Sequence, residues 1–175
     1  GFDRENEALT AVRLFGGETV SARLFVNAAG PWAGEVAALA EARVELRLRA
    51  GAHLVLAGEP PPVAVLLRGP GGRYIGLYPR SGESWIGPTD TPFDRTPDEA
   101  GPAPQEEAEL RRCVARVLPL ISRRPGRMVV GLRPLFGQRG ASALLSRDHR
   151  VIDHAPEGSA NLVTVIGGKL TTYRP

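Results

Sequence analysis

The residues most suited to chemistry stand at the C-terminal end of the sequence. There Gly167-Gly168 is followed by Lys169, Leu170, Thr171, Thr172, Tyr173 and Arg174. Two glycines let a main chain pass close to a ligand without interference from Cβ atoms. The lysine, hydroxyls, phenol and arginine that follow are donors suited to an anion such as phosphate. A P-loop is excluded, because no four-residue spacer separates the glycines. Arg133 lies in Gly131-Leu132-Arg133-Pro134-Leu135, where the proline pushes the preceding backbone toward an extended conformation. Arg147 stands between Ser146 and Asp148. His53 sits between Ala52 and Leu54 in an apolar run, and an imidazole with an ordinary pKa near about 6.5 suits a general base at neutral pH. Thr89-Asp90 adds a hydroxyl and a carboxylate. Each feature also has a plainer reading. The glycine pair can be an ordinary turn before a polar helix start, the arginines solvated charges, and the histidine a hydrogen-bonded core residue. His149 and His154 flank Asp153, but their spacing is not that of a metal site, and no metal is expected.

The elements that must position these residues follow from periodicity. Residues 8–28 alternate as a strand pair, with Gly16-Gly17 as the turn and one run from Thr19 to Val26 as the second strand. That run leads into Asn27-Ala28-Ala29-Gly30-Pro31-Trp32-Ala33, where the period changes to helical. Trp32, Val36 and Leu39 then share one side of a helix. Strict alternation over 44–49 predicts an antiparallel strand that continues through 50–56 after a bend at Gly51, and strands follow at 63–68, 73–79 and 84–87. A polar loop is expected from Thr89 to about 104. A helix carrying Leu110, Cys113, Val114, Val117 and Leu118 then runs to Pro119, which ends it. Strands at 127–131, 149–153 and 161–166 complete the pattern.

The fold class is therefore α+β. Its centre is an antiparallel sheet with a few helices, flanked by strands and a helix of a second arrangement. The chain has 175 residues, enough for a sizeable core, and its 42% apolar and 23% charged residues exclude wholesale disorder. Among 22 Lys and Arg residues, Lys169 is the one lysine, and the single Cys113 excludes an internal disulfide and cysteine-based metal clusters. No apolar run is long enough to span a membrane as a helix. A net charge of +3, with Arg111-Arg112 and Arg123-Arg124 as short pairs without interleaved aromatics, argues against nucleic acid as a partner.

Taken together, the segments resemble the FAD-dependent glycerol-3-phosphate dehydrogenases, within the glycine/D-amino-acid-oxidase-like flavoproteins. The matching stretches are Val26–Ala33, Gly51–Val55, Gly87–Thr91, Gly131–Leu135, Ser146–Asp148 and Gly167–Arg174, in the family's order over nearly the whole chain. The resemblance implies partial FAD-binding domain over 1–42 and 131–175, with a substrate-binding antiparallel domain over 43–130. It implies that Ala28, Ala29 and Gly30 form a flavin-facing turn, and that Gly167, Gly168, Lys169, Leu170 and Thr171 run past the isoalloxazine ring. Lys169 would stand near the flavin N1–O2 edge and the substrate, favouring reduced, anionic flavin. Arg133 would orient the substrate hydroxyl, Arg147 would hold the phosphate, and Thr89 would contact substrate. His53 would take the C2 hydroxyl proton as hydride moves to FAD. The implied partners are glycerol 3-phosphate and a quinone acceptor. A cytoplasmic location is implied, with peripheral membrane attachment and a homo-oligomeric full enzyme.

Two departures stand out. Pro88 replaces the threonine usual in the family's Gly-Thr-Thr-Asp, removing a hydroxyl and an N–H donor. No G-x-G-x-x-G follows an opening strand, so the expectation is an internal piece of a longer enzyme. Its partner would be a missing N-terminal FAD-binding segment, and the piece alone would bind FAD weakly or not at all. An amine-oxidising flavoenzyme of the same family, and a non-catalytic remnant serving as a binding or assembly module, are the alternative readings.

Overall fold

The computed structural model describes residues 1–137 and 148–169. The chain divides into two compact units, Gly1–Leu48 with Arg133–Pro175, and Arg49–Leu132.

In the first unit, β1 (Phe2–Glu5), β2 (Ala8–Arg13) and β3 (Thr19–Ser21) form an antiparallel sheet in that order. Asn6 makes the first turn at a φ of +54°, a left-handed conformation that a short polar side chain tolerates. The run expected to form one strand from Thr19 to Val26 is instead two. It breaks after Ser21, and β4 (Phe25–Asn27) joins a different sheet. Asn161 explains the break, since its side-chain amide donates to the Arg23 carbonyl and its own carbonyl accepts from the Phe25 N–H at 2.9 Å. β4 pairs in parallel with β12 (Leu162–Gly167), whose other edge takes β11 (His149–Asp153) antiparallel.

A 3-10 turn at Gly30–Trp32 leads into α1 (Ala33–Ala38). The side expected to carry Trp32, Val36 and Leu39 faces outward, and Ala33, Ala37 and Ala40 are buried in its place. Small side chains on that face let the helix lie close to its sheet. The core there joins Leu9, Phe25, Ala37, Ala40, Ala42 and Leu162, with the Phe2 and Phe25 rings edge to face at 5.7 Å.

The second unit is built on an antiparallel sheet. Its strands are β5 (Leu46–Leu56), β6 (Val65–Arg68), β7 (Tyr74–Arg80), β8 (Glu83–Gly87) and β10 (Gly126–Phe136), ordered β10-β5-β8-β7-β6. The unit boundaries fall within β5 and β10. β5 is one continuous strand through Gly51. The segment expected to be loop after Thr89 contributes β9 (Thr91–Phe93), which pairs with β5. α2 (Glu106–Ala115) covers one face of the sheet, and Pro119 opens a further short helix, α3 (Pro119–Ser122), rather than only ending the first. Proline fits there because the first helical position needs no N–H donor. Leu54, Leu56, Leu67, Ile75, Leu77 and Ile86 pack against Leu110, Cys113 and Val114 of α2, so Cys113 is a core residue. Burial pushes its thiol pKa up.

Candidate functional site

Successive side chains of a strand point to opposite faces. Since Leu54, Leu56, Leu77 and Ile86 face α2, the residues between them, His53, Val55, Tyr78 and Trp85, occupy the sheet's other face. Pairing of Val55 with Trp85, and of Tyr78 with Trp85, groups these side chains across three neighbouring strands. The His53 ring lies 5.8 Å from Trp85 and 6.2 Å from Tyr78, nearly perpendicular to the tyrosine. Arg80 stacks over the Trp85 indole at 4.6 Å, and Arg127 forks onto Glu83 at 2.7 and 3.1 Å. The Arg127 guanidinium holds the Glu83 carboxyl below its usual range.

Gly87 closes the imidazole from one side. A Cβ there would stand 2.7 Å from His53 Cδ2 and 2.8 Å from the Ala52 carbonyl oxygen, and the φ of Gly87 is +150°. The position requires glycine for both reasons, and the imidazole is fixed between backbone and two aromatic rings.

Thr89, expected at the substrate, has a supporting position. It is buried, its N–H donates to the Ala52 carbonyl at 2.9 Å, and its hydroxyl accepts from the Ala52 N–H at 2.8 Å. The same hydroxyl donates to Glu106 at 2.7 Å. Thr89 thus clasps the residue next to His53. Glu106 is the functional candidate that sequence reasoning missed. It is 2% exposed, and it accepts from the Thr91 hydroxyl at 3.3 Å and the Ala103 N–H at 2.9 Å as well as from Thr89. An acidic residue in the first turn of a helix ordinarily reads as a solvated charge near the positive end. The available signal was Thr89-Asp90-Thr91 upstream, two hydroxyls able to meet a carboxylate. Arg49 completes the arrangement, donating to the Asp90 carboxylate at 2.6 Å and to its carbonyl at 2.9 Å.

The first unit holds the expected cofactor-binding residues. β4 and β12 are parallel, with Asn27 paired to Thr164, so both strands finish at the same end of the sheet. Three residues beyond that pair, the chain turns at Gly30 (φ +57°) on one strand and Gly167 (φ +72°) on the other, followed by Gly168 (φ +82°). The carboxyl ends of parallel strands are where open α/β sheets take ligands. Ala28, Ala29 and Gly30 present almost no side chain, and among the described residues nothing stands within 4 Å of where a Gly30 Cβ would be. Asn27 braces this turn: its Oδ1 accepts from the Ala29 N–H at 3.3 Å, and its Nδ2 donates to the Ala33 carbonyl at 2.8 Å. Lys169 is exposed directly after the glycine pair, and Arg133 is half-buried within β10, whose range extends past the expected end at 131. Arg147, Leu170 and Thr171 lie outside the described residues. His53 and Thr89 belong to the second unit, and Ala28 to Gly30, Arg133, Gly167, Gly168 and Lys169 to the first.

The family model for FAD dependent oxidoreductases matches residues 1–174. The chain belongs to that family. Among its relatives, an aerobic glycerol-3-phosphate dehydrogenase of Staphylococcus epidermidis is 30% identical over 185 residues, covering 98% of this chain and 32% of the relative. Glycerol-3-phosphate dehydrogenase 1 of Mycobacterium tuberculosis is 33% identical over 175 residues, covering 89% and 31%. The chain therefore spans about a third of the length of the relatives it matches. Among solved structures, the glycerol-3-phosphate dehydrogenase of Bacillus halodurans, complexed with FAD, superposes with a TM-score of 0.78 at 26% identity over 99% of this chain and 35% of that one. Glycine oxidase from Bacillus cereus has a TM-score of 0.62 at 16% identity over 95% and 43%, a likeness of fold alone. This flavoprotein family's mixed fold, with largely antiparallel sheets and few helices, is the architecture described above. Among the described residues no helix is long and apolar enough to cross a membrane, and no cluster of His, Cys, Asp or Glu could hold a metal.

Proposed function

We propose that this chain is part of an FAD-dependent dehydrogenase that oxidises sn-glycerol 3-phosphate to dihydroxyacetone phosphate and passes the electrons to a quinone. One observation carries the reading. Proteins named glycerol-3-phosphate dehydrogenase share 30% and 33% identity with this chain over 98% and 89% of its length, and 26% in the solved structure, whereas two solved glycine oxidases share 16% and 22%.

The residues present fit FAD. The Ala28-Ala29-Gly30 turn carries only two methyl side chains, the backbone at Gly167 and Gly168 is left-handed, and an exposed lysine follows. When bound, FAD supplies the two-electron acceptor. The chain's own residues would do the rest. Arg147 binds the substrate phosphate as a bidentate partner. Arg133 orients the hydroxyl, and His53 accepts the proton from the C2 hydroxyl. Lys169 places positive charge where negative charge accumulates during oxidation. Glu106 and Thr89 hold the strand that carries His53.

The test is glycerol-3-phosphate-dependent reduction of a quinone analogue by the complete gene product. His53→Gln lowers kcat by roughly 10²- to 10⁴-fold, the usual contribution of a positioned general base, with flavin content unchanged. Arg147→Ala raises KM by roughly tenfold to a hundredfold, the loss of about 1.5–3 kcal/mol expected for a charged hydrogen-bond partner. Turnover of an amino acid in place of glycerol 3-phosphate refutes the substrate assignment.

A further inference from the structure

His154 takes no part in the chemistry above, yet it is wholly buried in the first unit. It stands just past the end of β11, and its Nε2 lies 2.8 Å from the Thr164 hydroxyl on β12. Its Nδ1 faces Glu157 Oε2 at 3.4 Å, and the same carboxylate oxygen accepts the Arg43 N–H at 2.9 Å. That N–H, ahead of His154 itself, holds the Glu157 carboxyl below its usual range. On its other side, the Thr164 hydroxyl meets Asn27 Nδ2 at 3.2 Å.

The direction of the bond between Asn27 and Thr164 follows from donor counting. The Asn27 amide nitrogen can only donate, so the Thr164 oxygen is the acceptor in that contact. The same hydroxyl meets His154 Nε2, in a hydrogen bond whose direction depends on which ring nitrogen carries the hydrogen. With one Nδ2 hydrogen on Thr164 and the other on the Ala33 carbonyl, Asn27 has one orientation, which leaves Oδ1 toward the Ala29 N–H. A chain of polar groups thus runs from Glu157 through His154, Thr164 and Asn27 to the Ala29 N–H within the Ala28–Gly30 turn and to the Ala33 carbonyl at the start of α1.

We propose that His154 and Thr164 are positioning residues for flavin binding: by fixing the Asn27 amide they fix the backbone of the Ala28–Gly30 turn. This rests on the flavin reading given above. No covalent step is involved, and neither residue needs to touch the cofactor. The effect passes through the orientation of one amide group.

The test uses the complete gene product with the variants Thr164→Val, Thr164→Ser and His154→Gln. Amide hydrogen exchange at Ala29 and Trp32 is read without flavin, and FAD affinity is read by titration of the apoprotein. Thr164→Val keeps shape and removes the hydroxyl. Exchange at both amides is expected to quicken by roughly 2- to 10-fold, the range for one net hydrogen bond, and FAD affinity to fall by a similar factor. Thr164→Ser restores both to within about twofold on the same reasoning, and His154→Gln, whose amide can donate to or accept from the hydroxyl, falls between. Should Thr164→Val fail to fold, Asn27→Asp, which drops both amide donors and keeps Oδ1, gives the same comparison. Wild-type protein that binds no FAD overturns the flavin reading and the proposal with it. Wild-type binding with unchanged affinity in Thr164→Val and Asn27→Asp overturns the proposal alone. So does exchange that is equally fast in the serine and valine variants.

Discussion

Gly87→Ala is the sharpest perturbation of the candidate site, because its cost has two separable parts. The added methyl would lie 2.7 Å from His53 Cδ2 and 2.8 Å from the Ala52 carbonyl oxygen. Real Cβ atoms do not approach so closely, and neither neighbour is a free side-chain end: one is backbone, the other a ring flanked by Tyr78 and Trp85. Overpacking of this kind costs roughly 1–3 kcal/mol. Holding an alanine at a φ of +150° costs about 1–3 kcal/mol more. Gly82→Ala serves as the control, since Gly82 has a φ of +75° but, among the described residues, nothing within 4 Å of its missing Cβ. It should lose only the backbone part, about 1–2 kcal/mol. Urea denaturation reads the difference as a shift in midpoint at constant slope. The imidazole resonances of His53 should shift in Gly87→Ala and stay in place in Gly82→Ala. A Gly87→Ala protein no less stable than Gly82→Ala, with His53 resonances unmoved, would refute the claim that glycine at 87 sets the imidazole.

Two further predictions concern charge. Glu106→Gln retains one acceptor but turns an amide hydrogen toward a donor, a loss of about 1–3 kcal/mol, whereas Glu106→Ala strands two hydroxyls and an N–H and costs more. Denaturation midpoints in the order wild type, Gln, Ala check this, and an alanine variant as stable as glutamine contradicts it. The carboxyls of Glu83 and Glu157 are held low by Arg127 and by the Arg43 N–H. A depressed folded-state pKa gives stability that is fully present above the unfolded value, about 4.3, and lost as pH falls through the folded value. Glu83→Gln should therefore flatten the acid limb of the stability curve, and an unchanged limb would show that the fork to Arg127 contributes nothing.

Much of the fold was legible where one periodicity dominated. Strict alternation over 44–49 marked the opening of β5, and the Leu110, Cys113 and Val114 stripe marked the helix face that meets the sheet. Reading failed where a single remote side chain decided the outcome. Nothing in Thr19 to Val26 signals the break at 22–24, because the cause is Asn161, far along the chain. Hydrophobicity pointed to Trp32, Val36 and Leu39 as one side of α1, but the buried side is the alanine one. The candidate site divides the same way. Motif spacing singled out His53, yet the fixing of its strand by Glu106 through Thr89 depends on a contact between segments that no local pattern encodes.

The alternation along β5 has an evolutionary consequence. His53 and Val55 present one face, while Leu54 and Leu56 fill the core on the other, so a slip of a single residue would exchange them. The slipped strand would bury an imidazole beneath α2 and expose leucines where the imidazole had been. A one-residue insertion or deletion between Ala52 and Leu56 should be purged, whereas length changes in the exposed Pro70–Gly72 turn should accumulate freely.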